Sequence, residues 1–169
     1  MPASSSQTDT PATAARSGSP AEARVRRLAG DVLSSRSDLY LVEVVVKGRV
    51  GQQTVEVFVE GDGPVTIDDY ARISRELAFL LDAEDVMPGA YRLNVSSPGV
   101  KRPLVLPRQY KKQIGRPMKV RMQDADGAYR SVIGTLTGVA ETEYTLDIDG
   151  EPQTISFEQT EKAIVQLPW

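Results

Sequence analysis

Between Lys101 and Arg121 the chain carries eight cationic side chains and no acid. They are Lys101, Arg102, Arg108, Lys111, Lys112, Arg116, Lys119 and Arg121. From Met122 to Trp169 the balance reverses, with nine acids against two bases, Arg130 and Lys162. The net charge is −3, so positive charge is concentrated in one stretch of an otherwise acidic body. Guanidinium and ammonium groups gathered in this way suit phosphate. Pro103, Pro107 and Pro117 interrupt the run, and proline reduces the freedom lost when such charges are held in place. A solvated linker is the plainer reading of a charge run. Here, however, an alternating strand ending at Val95-Ser96-Ser97 passes through a Pro98-Gly99 turn directly into the cations.

The other groups capable of chemistry have simpler explanations. The chain has no histidine and no cysteine, which removes the commonest general base near neutral pH, thiolate nucleophiles, disulfides and Cys/His zinc sites. Asp68-Asp69 stand where a helix begins, and the helix dipole accounts for them. Asp147 and Asp149 are expected on one side of a strand, with no nucleophile or metal partner nearby. Asp124-Ala125-Asp126-Gly127 resembles part of a calcium loop, but Met122 occupies the first ligand position, so it reads as a turn. Gly61-Asp62-Gly63 is too short to cradle phosphate, and Pro64 removes a donor. Tyr144 and Trp169 have rings that could stack on bases, although core packing suits them better. No metal, cofactor or small-molecule substrate is expected. A carboxylate hydrolase is the enzymatic alternative, and no group predicts its site.

The elements that position these groups follow from pattern. Residues 1–18 are rich in Ser, Thr, Ala and Pro and read as a disordered tail. They contain no secretory signal, and no run approaches the length of a membrane helix. Together with the missing cysteines, this gives an expectation of a cytoplasmic protein. Ser19-Pro20-Ala21-Glu22 is a helix start, and Val25, Leu28, Ala29, Val32 and Leu33 form one helical face to about Ser35. Leu39 to Lys47 and Gln53 to Glu60 read as an antiparallel hairpin. In the second strand Val55, Val57 and Val59 alternate with Glu56, Phe58 and Glu60. Thr66 to Asp69 starts a second helix with Tyr70, Ile73, Leu77, Leu80 and Leu81 on its buried stripe, and Tyr91, Leu93 and Val95 mark a third strand. This α-β-β-α-β unit implies a three-stranded sheet with two helices on one face.

Beyond the cations the pattern shortens. Strands are expected at Met118 to Met122, Tyr129 to Thr137, Glu143 to Asp149, Gln153 to Phe157 and Ala163 to Leu167, with an Asp149-Gly150 hairpin turn. The fold class is therefore α+β, with a small β-barrel after the first unit. The expected boundaries are 1–18 for the tail, 19–97 for the α/β domain, 98–108 for the connector and 109–169 for the barrel.

Ser96-Ser97-Pro98-Gly99-Val100-Lys101-Arg102-Pro103-Leu104 resembles the junction signature of the bacterial ribosome maturation factor RimP family. Val55 to Val59, Val65 to Asp69 with Arg72 to Arg75, Gly115 to Pro117 and Ile133 to Leu136 resemble the same family. The chain departs from it at Lys101, where an acid is common, and at Ile164 in the last strand. The resemblance implies an α/β domain followed by an SH3-like barrel. It also implies a non-enzymatic factor that binds the free small ribosomal subunit and assists its late maturation, near the decoding region where a basic ribosomal protein joins the RNA. On that reading the eight cations from Lys101 to Arg121 contact ribosomal RNA. Glu141, Glu143, Asp147, Asp149 and Glu151 face the basic ribosomal protein by charge complementarity. Ser96, Ser97, Pro98 and Gly99 set the angle between the two domains. A general RNA-binding module without ribosome specificity is the alternative.

Overall fold

The computed structural model describes residues 18–167. The reading of 1–18 as a disordered tail thus falls, except for Gly18, outside the described residues, as does Trp169. Helix α1 (Pro20–Leu33) begins where expected, because the Ser19 hydroxyl accepts from the Glu22 amide at 3.2 Å and Pro20 occupies the first turn. Strand β1 (Leu39–Lys47) pairs antiparallel with β2 (Gln53–Gly61). Helix α2 (Ile67–Ala83) then crosses over, and β3 (Tyr91–Ser96) lies parallel to β2. The sheet order is β1-β2-β3.

Both helices cover one face of this sheet. Val25, Leu28, Ala29 and Leu33 of α1 meet Ile73, Leu77 and Leu81 of α2 over Val44, Val55, Val57 and Val59. A bulge between Leu41 and Glu43 shifts the register of β1. Because side chains alternate along a strand, the extra residue changes which β1 positions face the helices. Leu39 and Leu41 face them before the bulge, and Val44 and Val46 after it. Tyr40, Val42 and Phe58 form a separate apolar cluster, joined by Val45 and by Leu106 from the connector. The second face of the sheet is therefore also partly buried, and what buries it is the segment that follows.

A third helix, α3 (Pro107–Lys111), lies inside the cationic stretch where only a connector is expected. Buried Gln109 turns its side-chain oxygen back to accept from the Val105 and Leu106 amides, at 2.8 and 3.0 Å. Tyr110 enters the second core, its ring 4.9 Å from Tyr144 and 5.0 Å from Phe157. That core lies under β4 (Pro117–Gln123), β5 (Tyr129–Val139), β6 (Glu143–Ile148), β7 (Glu151–Ser156) and β8 (Thr160–Val165).

The five strands form an antiparallel sheet in the order β7-β6-β5-β4-β8. The strand-rich half matches the expectation, but closure into a barrel is not seen: no ladder joins β7 to β8 and no closed ring forms among the described residues. Local bonds explain why. The turn between the two strands is tied to itself through Thr160 to Phe157 at 3.2 Å, and the Phe157 amide is taken by the Thr142 carbonyl at 3.0 Å. The outer edge of β8 is occupied by the connector, whose Leu104 amide donates to the Ala163 carbonyl at 2.8 Å. A second expectation also fails. Asp147 is exposed on β6, whereas the strand ends at Ile148 and Asp149 sits in the hairpin turn at φ 53°. The two carboxylates do not share a strand face.

Asp69 makes the start of α2 sensitive to acid. Its carboxylate accepts from the Thr66 amide at 3.1 Å and pairs with the Arg36 guanidinium at 2.9 Å. The backbone bond, followed by the arginine, lowers its pKa from the ordinary 3.8 to about 2. A carboxylate depressed in the folded state stabilises the fold above its unfolded pKa and loses that effect as pH falls through the folded value. The melting-temperature gap between wild type and Asp69→Ala should be constant from neutral pH to about pH 5 and narrow from about pH 4 to 2. A gap that does not depend on acid would show that Asp69 acts by packing alone.

Candidate functional site

The cationic stretch is built on the second face of the first sheet. Strand β2 presents Glu56, Phe58 and Glu60 on that face, and the register sets Glu43 beside Phe58 and Tyr40 beside Glu60. Two arginines from beyond β3 settle onto this surface. The Arg102 guanidinium lies 4.1 Å from the centre of the Phe58 ring and donates to the Glu43 carboxylate at 2.5 Å. Arg108, on α3, lies 4.4 Å from the centre of the Tyr40 ring. It donates from Nε to Asp62 Oδ1 at 2.6 Å, from one Nη to the other oxygen of that carboxylate, and to the Ser37 carbonyl at 2.8 Å. Lys112 completes the set with Nζ 3.1 Å from Glu60. Arg108 sets its planar fork against a carboxylate and Arg102 a single nitrogen, and each guanidinium also lies over a ring, a pairing to which arginine is better suited than lysine.

The electrostatics agree with the geometry. The hydrogen bond from Arg108 holds the Asp62 carboxyl below the usual range, and Asp62 raises the Arg108 guanidinium in return. Burial, more than the neighbouring Glu60, pushes the Tyr40 phenol upward. The Tyr40 hydroxyl is buried without a hydrogen-bond partner, which is a cost rather than a contribution.

The eight cations thus divide into two groups. Arg102, Arg108 and Lys112 are bound to acids of the first sheet, and Arg121 pairs with Glu161 at 2.7 Å on the second. Lys101, Lys111, Arg116 and Lys119 are exposed and have no ion partner among the described residues. The acids that engage the first group, Glu43, Glu60 and Asp62, were not singled out from the sequence. The alternation of Glu56, Phe58 and Glu60 was legible, but nothing local showed that arginines from a distant segment would cover it.

The junction turn has its own geometry. Pro98 is buried and Gly99 takes φ 71°, a value that favours glycine. Behind the turn, the Tyr70 hydroxyl of α2 donates to the Val59 carbonyl at 3.1 Å. Glu141, Glu143, Asp147, Asp149 and Glu151 are all exposed. Only Glu143 and Asp147 alternate with buried Tyr144 and Leu146 on the outward side of β6. Tyr144 lies in the core, and its hydroxyl is 2.6 Å from that of Thr160. No group of three or more potential metal ligands occurs among the described residues.

Two outcomes follow. Replacing Arg102, Arg108 and Lys112 together with alanine should broaden the interatomic distance distribution in small-angle scattering and speed proteolysis between residues 98 and 106. An unchanged distribution would mean that Leu106 and Tyr110 alone hold the two halves. Tyr40→Phe should leave the thermal midpoint unchanged or raise it, because the hydroxyl it removes has no partner; a clear fall in calorimetry would contradict that.

The junction joins an α-β-β-α-β unit to a strand-rich half through the Ser-Ser-Pro-Gly turn and an arginine anchored on the sheet behind it. Residues 30–101, which run from α1 through β3 into that turn, match the family model described as the RimP N-terminal domain. This match supports placing the chain in the RimP family.

Proposed function

We propose that this chain is a non-enzymatic assembly factor that binds the free small ribosomal subunit and assists its late maturation. The observation that carries this reading is the match of residues 30–101 to the RimP N-terminal domain. In this reading residues 19–97 form the α/β domain, 98–108 the connector and 109–169 an SH3-like small barrel. The strand order of the second half supports the last assignment, because the short turn from β7 to β8 folds the sheet over Tyr110 and Tyr144. The protein works in the cytoplasm; no helix among the described residues is long and apolar enough to cross a membrane.

Two surfaces of opposite sign serve this role. Lys101, Lys111, Arg116 and Lys119, exposed and without acidic partners, are the side chains available to ribosomal RNA. Glu141, Glu143 and Asp147 offer the complementary charge to a basic ribosomal protein near the decoding region. Arg102 and Arg108 hold the two halves in register and contribute to binding through orientation. A general RNA-binding module remains the second reading, supported by the same free cations.

Co-sedimentation with isolated small subunits, large subunits and whole ribosomes at two salt concentrations tests this. Selective association with small subunits, weakening with salt, is expected. Lys101→Gln with Lys111→Gln should weaken it and flatten its salt dependence, without the loss of rigidity expected when Arg102 and Arg108 are removed. Equal binding to every particle would favour the general RNA-binding module, and no binding would overturn both readings.

A further inference from the structure

The outward face of the second sheet changes sign from one side to the other. Strand β4 lies between β5 and β8 and turns Met118, Val120 and Met122 inward, so Lys119 and Arg121 point out. Register then sets their neighbours. Lys119 is flanked by Ile133 of β5 and Ile164 of β8, and Arg121 by Ser131 and Lys162. Tyr129 pairs with Gln123 at the end of the same ladder. The Arg121 guanidinium is 5.0 Å from the centre of the Tyr129 ring, with Nε 2.7 Å from Glu161. Arg121 is thereby fixed by one acid and supports the ring from one side. Tyr129 remains 50 % exposed and Ile133 59 % exposed. On the far side of β5 the outward positions of β6 are Glu143 and Asp147.

An exposed ring and an aliphatic side chain set among three cations on one sheet face meet the two needs of single-stranded nucleic acid. The ring and aliphatic surface accept the face of an unstacked base, and the cations meet the backbone. The acids on β6 repel phosphate and confine its path to the strands β8, β4 and β5.

We propose that this face, centred on Tyr129, Ile133, Lys119 and Lys162, is a binding platform for single-stranded RNA. The inference rests on the RNA-associated role given above and deepens it by naming the class of RNA and the surface that receives it. Tyr129 stacks on a base, Ile133 and Ile164 cover its neighbours, and Lys119 and Lys162 meet the flanking phosphates. The junction arginines Arg102 and Arg108 take no part, since their donors are already engaged with Glu43 and Asp62.

The test is fluorescence anisotropy of the full chain with a labelled single-stranded RNA of about 12 nucleotides, alongside a duplex of the same length. The single strand should bind more tightly than the duplex. Tyr129→Ala should weaken binding about fivefold or more, while Tyr129→Phe, which keeps the ring, should stay within about twofold. Lys119→Gln with Lys162→Gln should reduce the log–log salt slope by about 1.4, which is two contacts at roughly 0.7 each. Thermal midpoints of the same variants separate lost binding from lost folding. Equal affinity for the duplex, an unchanged Tyr129→Ala variant, or no RNA binding by the wild type would each overturn the proposal. Co-sedimentation with small subunits is read on the same preparations. If subunit binding persists while the oligonucleotide is not bound, this platform falls and the assembly-factor reading stands. If the oligonucleotide is bound in a Tyr129-dependent way while no subunit is, the assembly-factor reading fails instead.

Discussion

Two arginines, each shared between a carboxylate and an aromatic ring, hold the halves of this molecule together. Arg102 spans Glu43 and Phe58, and Arg108 spans Asp62 and Tyr40. The second face of a three-stranded sheet would otherwise expose Tyr40, Val42 and Phe58, with acids on either side of them. A purely apolar cover would leave those carboxylates short of partners, and a purely charged one would leave the rings in water. Guanidinium satisfies both, because its edge donates hydrogen bonds while its faces are weakly hydrated and stack on aromatic rings. Leu106 adds apolar contact to the same cluster. The junction is therefore an amphipathic interface within the chain and not a solvated tether.

Helix α3 makes that interface rigid from both sides. Five residues are too few for a stable isolated helix, so tertiary contacts must supply its stability. Gln109 caps its start, Tyr110 is packed between Tyr144 and Phe157, and Arg108 reaches back to the first sheet. The side chains of three successive residues thus serve the local backbone, the second core and the first sheet. Leu104 extends the arrangement by bonding to the outer edge of β8, which keeps the five-stranded sheet open at that edge.

Charge in this protein has two uses that cannot be told apart by counting. Arg102, Arg108 and Lys112 serve architecture, with their charges answered by acids from the opposite half. Lys101, Lys111, Arg116 and Lys119 have no such answer among the described residues and face solvent. The outward side of the second sheet repeats the division, cationic along β8 and β4 and acidic on β6. Surfaces of both signs are therefore present on a chain whose net charge is only −3.

Local physics made most of the framework legible. Ser19 and Thr66 begin helices because their hydroxyls accept from the first turn, and the valines of β2 choose the core face because strand side chains alternate. The five short strands and the Asp149-Gly150 turn follow from the same alternation and from the need for positive φ. The Ser-Ser-Pro-Gly signature named the family because it stands in order behind an α-β-β-α-β unit. Helix α3 escaped because Pro107 was the only start signal and its cap comes from Gln109, after the start, rather than from Ser or Thr. What only the tertiary structure decided was the partner of each charge. Glu43 and Arg102 are separated by 59 positions, and Tyr129 meets Arg121 only through the β4–β5 register. A side chain's alternation depends on its own neighbours along the chain and can be read there. The ion pair it makes depends on which strand comes to lie beside it, on a bulge in β1 and on an open edge at β8, and these are set by the packing of the whole chain.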